Sequence, residues 1–208
     1  MSILNKLACS LGRRDEVPNQ ELAEQIVAEN DTAAVKELIE LLSHKNKNIQ
    51  SDCIKVLYEI GARNVALIAG YHKDFGKLLD SKNNRLVWGA MIALDVIAAE
   101  NPKGVYGLLA KIVATVNSGS VITRDHAVGI LAKLGKLKQY AAECVPLLLE
   151  QLAQCPNTQF PTYCEHSLPV INDNNRQQFQ KVMNARLNDL EKDSQRKRVA
   201  KVLKKIGG

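Results

Sequence analysis

Cys155, Cys164 and His166 are the residues whose types most invite metal chemistry. Their spacing matches no zinc-ligand pattern, and a Cys-x-His pair on a helix turns its side chains about 200° apart. The cysteines are therefore read as structural, and no metal is expected. Asp125 and His126 supply an acid and a base, but adjacent helical residues diverge by about 100°, which argues against a catalytic dyad. Ser118-Gly119-Ser120 lacks the flanking glycines and the following lysine of a phosphate-cradling loop. No HExxH, GxSxG or kinase signature occurs. Glu37 with Glu40 and Asp189 with Glu191 sit in mixed-charge segments of surface character. No cofactor and no enzymatic activity are expected from this inventory.

What remains is chemistry of contact rather than of reaction. The chain has a single tryptophan, Trp88, with Arg85 one turn before it. Trp, Tyr and Arg are the types that dominate binding hot spots. The elements that position them repeat. Residues 49–61 (IQSDCIKVLYEIG), 86–98 (LVWGAMIALDVIA) and 123–135 (TRDHAVGILAKLG) begin about 37 residues apart, within the range of helical repeats. Leu57, Leu94 and Leu131 correspond, as do Ile60, Ile97 and Leu134. A fourth copy, 160–172, keeps Leu168 and Ile171 at those places, and a shortened fifth ends in Leu203 and Ile206. Cys53, Ala90, Ala127 and Cys164 hold one small-residue position, as a close helix–helix approach requires.

Each copy follows another apolar helix: 33–42, 66–79, 105–116, 140–152 and 179–190. Asp31 can cap the first, and Asn101-Pro102 places a cap and an N1 proline before the third. Pro146 and Pro169 fall inside helical patterns and are expected to kink or split them. No stretch alternates apolar and polar residues as a half-buried strand does. Residues 1–11 have the spacing of an amphipathic helix rather than of a signal peptide.

The 208 residues are 46% hydrophobic and only 4% aromatic, which argues against a disordered chain, an all-β sandwich and a base-stacking surface. Apolar runs are too short to cross a bilayer, so no membrane span is expected. Five cysteines, an odd number with no CxxC pair, fit a reducing compartment, and a cytoplasmic location is the expectation. The formal charge of +6 arises beyond Glu191, where seven cations face the single acid Asp193. The rest of the chain is neutral, so a long phosphate-tracking groove is not favoured. Arg196, Lys197, Arg198 and Lys201 form a weak anion-binding candidate; the plainer reading is a terminal helix with one solvated face.

From about Asp31 onward the sequence resembles the HEAT and armadillo-like helical-repeat family. The recurring Leu/Ile positions, the small residue before them, Pro146 in a first helix and the Thr123-Arg124 step carry the likeness. The resemblance implies an all-α, right-handed α-solenoid of about five HEAT-like helix pairs. It also implies N-terminal capping helices over 1–30, followed by one continuous repeat array over 31–208. In that family the second helices line the surface where partners dock. That surface would hold Arg85, Trp88, Asp125, His126, Tyr163 and His166, with Trp88 becoming a core residue if the helix phase is off by one position. The implied function is a non-catalytic scaffold or adaptor for a protein partner. One alternative is a DNA glycosylase of the alkylation-repair kind, which shares the fold, although Ile92 stands where an acid would follow the Trp. Another is an accessory subunit that binds an anionic partner through the basic C-terminal helix.

Overall fold

A computed structural model describes residues 2–118 and 120–207. Gly119 of the Ser118-Gly119-Ser120 step lies outside the described residues. Among the described residues the chain is all helix and turn, an all-α solenoid, as the repeat pattern requires. It divides into two compact units, Met1–His126 and Ala127–Gly208, with the boundary inside one helix.

The first unit contains α1 (Val17–Glu29), α2 (Thr32–Leu41), α3 (Lys47–Arg63), α4 (His72–Leu78), α5 (Asn84–Glu100), α6 (Pro102–Tyr106), α7 (Leu109–Ser118) and the first turns of α8 (Val121–Gly135). Side-chain caps fix where several of these start. Asp31 accepts from the Ala34 amide, Asn46 from Asn48, Asn83 from Arg85 and Asn101 from Gly104, each meeting an amide the helix itself leaves unpaired. α3 is packed by α1 and α2 on its flanks and by α5 beyond, and α5 in turn packs α4 and α6. The second unit contains the rest of α8 with α9 (Lys138–Gln154), α10 (Phe160–Ser167), α11 (Arg176–Leu187) and α12 (Asp193–Gly207). There α9 packs on α11, and α10 packs on α9 and α12.

The repeat positions form the core of each unit. Leu57, Leu94, Ile60, Ile97 and Leu134 are fully buried, and so are the small residues Cys53, Ala90, Ala127 and Cys164. Gly89 of α5 shows why small side chains matter between second helices. A Cβ placed there would lie 2.2 Å from Cγ1 of Ile54 on α3.

Three expected helices are corrected. In place of the one helix expected over 1–11, residues 2–11 form a 3₁₀ turn, Ile3–Lys6, followed by turns. Gly12 at φ 70° ends those turns, and the Arg13 amide donates back to the Ala8 carbonyl as in a Schellman closure. The helix over 66–79 is broken into 3₁₀ turns before α4, and that over 105–116 is divided into α6 and α7. Of the kink or split expected at Pro146, the split does not occur: α9 continues through it, because Pro146 and Ala142, whose carbonyl loses its amide partner, both lie exposed and can turn to water. At Pro169 the helix does stop: residues Leu168–Val170 become 3₁₀, the phase shifts, and Val170 is buried while Leu168 and Ile171 are half-buried.

Candidate partner-binding face

On α3 the expected outward face is taken up by the chain itself. Asp52 accepts hydrogen bonds from the Cys9 amide and the Asn19 side chain, both at 2.8 Å, and Asn19 in turn accepts from the Ala8 amide. Lys55 is nearly buried and pairs with Glu59 at 2.7 Å and Glu16 at 2.9 Å, with its ammonium over the Tyr58 ring. Burial works against that charge, yet the hydrogen bonds with Glu59 and Glu16 lift the ammonium above its usual range. Burial likewise opposes ionisation of Glu59, but Lys55 and Arg63 hold its carboxyl below the ordinary value. Sequence reasoning missed this cover because the residues that supply it, Cys9 to Asn19, lie outside the repeat and share no period with it.

On α5 and the start of α8 the face stays open. The Arg85 side chain is 64% exposed, and its ion pair with Glu16 is a loose 3.6 Å. Trp88 is half-buried and borders a small cavity with Leu79, Ser81, Thr115, Ser120 and Thr123. The indole is thus neither a core residue nor a free-standing anchor: one side packs and the other meets solvent. Ser120 and Thr123 flank Val121 and Ile122, which are 48% and 40% exposed and are among the most exposed large apolar residues described. His126 does not turn to its neighbour Asp125 but pairs through Nδ1 with Asp95 of α5 at 2.9 Å. Asp125 is half-buried, and Ile92 holds the position one turn after Trp88.

In the second unit the expectation for Tyr163 is corrected. It is 1% exposed, because α10 is a short helix packed against both α9 and α12 and has no free side at that position. His166 is exposed. Two of the four cations proposed to hold an anion serve the protein's own structure. Arg196 donates to the carbonyls of Leu190 and Glu191 and pairs with Asp193, whereas Arg198 grips Glu165 and donates to Thr162. The Arg198 contact holds the Glu165 carboxyl below its ordinary value. Lys197 and Lys201 remain exposed. A residue not singled out in the sequence, Arg186, stacks on Phe160 and donates to the Leu152 carbonyl at the end of α9, to the Cys155 sulfur and to Asn157. Burial pushes the Cys53 and Cys164 thiols up, and that of Cys144 to about 11. No group of three or more His, Cys, Asp or Glu suited to a metal occurs among the described residues. Among them, too, no helix is long and apolar enough to cross a membrane.

Solved structures share this fold over most of the chain. A designed armadillo repeat protein in complex with the peptide (KR)4 superposes with a TM-score of 0.69 at 17% identity, covering 90% of this chain and 86% of that one. A computationally designed armadillo repeat protein for modular peptide recognition gives 0.68 at 16%, with 88% and 85% covered. An engineered protein gives 0.66 at 23%, with both chains covered completely. These likenesses define an armadillo-like helical-repeat fold. No family model and no curated protein sequence matches the chain.

Proposed function

We propose that the protein is a non-catalytic helical-repeat scaffold that binds a protein partner on the face formed by α5 and the first turns of α8. One observation carries this reading: a half-buried Trp88 shares a cavity with Ser120 and Thr123, which bracket the exposed Val121–Ile122 step, while the exposed Arg85 stands one turn away. An aromatic packed on one side and open on the other presents a large contact area with few rotations left to freeze. The helices hold these groups in fixed positions, which lowers the ordering cost of association. The fold shared with designed armadillo repeat proteins, one of them in complex with a peptide, supports the same class of function.

A random-peptide library selected on the whole protein tests this directly. Selected peptides are expected to lose about 2 kcal/mol with Trp88→Ala and about 1 kcal/mol with Ile122→Ser. Ile122→Ser should leave the thermal midpoint within the range of ordinary surface changes. Peptides bound equally by the native chain and both variants would remove this face as the site.

A further inference from the structure

Glu16 lies in the stretch, exposed over 10–17, that joins buried Ala8 to buried Pro18. One of its carboxylate oxygens lies 2.9 Å from Lys55 on α3, and the other lies 3.6 Å from Arg85 on α5. A single loop carboxylate therefore bridges cations on two successive second helices. Its neighbour Asp15 pairs with Arg13 of the same loop at 2.8 Å and so leaves the two helical cations to Glu16. Beneath the loop is a hollow of about 360 Å³, lined also by Asn48, Ser51 and Arg14.

We propose that Lys55 and Arg85 form a docking point for an acidic side chain of the protein partner, and that the Asp15–Glu16 loop occupies it as an internal stand-in that the partner displaces. This rests on the partner using the α5–α8 face, which Arg85 borders. Three features suit such an exchange. When Glu16 leaves, Glu59 stays at 2.7 Å from the nearly buried Lys55, so no charge is orphaned. Arg85 is mostly in solvent already, and exposed ion pairs of this length hold weakly. The loop is anchored on both sides by buried residues, so its tip can swing while Leu7, Ala8, Pro18 and Asn19 stay in place. The arriving carboxylate makes the contacts that the departing one gives up, and the stand-in lowers the partner's apparent affinity by the fraction of time it occupies the site.

The test is the binding of a fluorescent hexaglutamate peptide to the full chain by anisotropy at low salt. Glu16→Gln is expected to tighten binding about three- to tenfold over the native chain. Arg85→Gln added to that variant is expected to remove the gain, as is raising the salt to about 0.5 M. Glu16→Ser, which offers α1 a good cap, guards against a folding defect in Glu16→Gln. No tightening in either Glu16 variant, with melting like the native chain, would overturn the proposal. A gain that survives Arg85→Gln would place the binding elsewhere and overturn it as well. If hexaglutamate shows no gain while Trp88→Ala still costs the library-selected peptides their affinity, the stand-in is wrong and the face stands. If Trp88→Ala and Ile122→Ser are both silent, the face itself is wrong.

Discussion

The outward side of α3 and the outward side of α5 with the start of α8 occupy the same place in successive repeats, yet they have opposite fates. On α3, Asp52 and Lys55 are spoken for by Cys9, Asn19, Glu16 and Glu59. On α5 and α8, Arg85 and Ile122 keep much of their surface in water, and the half-buried Trp88 keeps part of its own. The cause is not the repeat but what precedes it. The N-terminal turns and α1 lie along α3 and consume its polar groups, whereas on α5 Arg85 meets the same segment through a loose 3.6 Å contact with Glu16 and stays 64% exposed. A repeat position therefore defines where a side chain points, while the neighbour decides whether it becomes structure or surface.

If the two sides differ only in their cover, the cores beneath them should be equivalent. Leu57 under the covered side and Leu94 under the open side are both fully buried. Leu57→Ala and Leu94→Ala are each expected to cost about 2–5 kcal/mol, measured by urea unfolding of the whole chain. A neutral result at either would mean that the repeat register fails there. The covers themselves should differ. Asp52→Ala strips partners from the Cys9 amide and the Asn19 side chain, and is expected to cost about 1–3 kcal/mol. An Asp52→Ala variant as stable as the native chain would show that the N-terminal segment does not depend on α3.

How much of this was legible in the sequence follows from the same physics. A 37-residue period in apolar and small residues reports which sides of helices are buried, so Leu57, Leu94, Cys53 and Ala90 were placed correctly. Caps act locally, and Asp31 and Asn101 could be read from their own neighbourhoods. The cover on α3 could not, since it depends on contacts such as that from Cys9 to Asp52, 43 residues apart and outside the repeat. Tyr163 failed for a related reason. Its helix, Phe160–Ser167, is cut short before Pro169 and is packed on more than one side, which removes the outward face that a full-length repeat helix would have kept. Trp88 fell between the two alternatives, because the indole is half-buried and borders a small cavity that Thr115 and Thr123 also line.

The smallest expected effect separates the two sides by their response to acid. Glu59, on the covered helix α3, is only 18% exposed and touches Lys55 at 2.7 Å and Arg63 through its other oxygen. Burial alone would raise its pKa, but the two cations prevail and the folded value lies below the unfolded one of about 4.3. A carboxyl depressed on folding contributes stability that is fully present above the unfolded pKa and is lost as pH falls through the folded one, because the unfolded chain binds the proton first. Glu59→Gln is therefore expected to cost about 1 kcal/mol or less near pH 7, and the gap to the native chain should close as the pH drops below about 4. Chemical unfolding of both proteins between pH 7 and pH 3 measures it. A gap that stayed constant across that range would mean the Gln removes packing rather than a charge, and the ion pairs on α3 would then no longer distinguish it from the open face of α5.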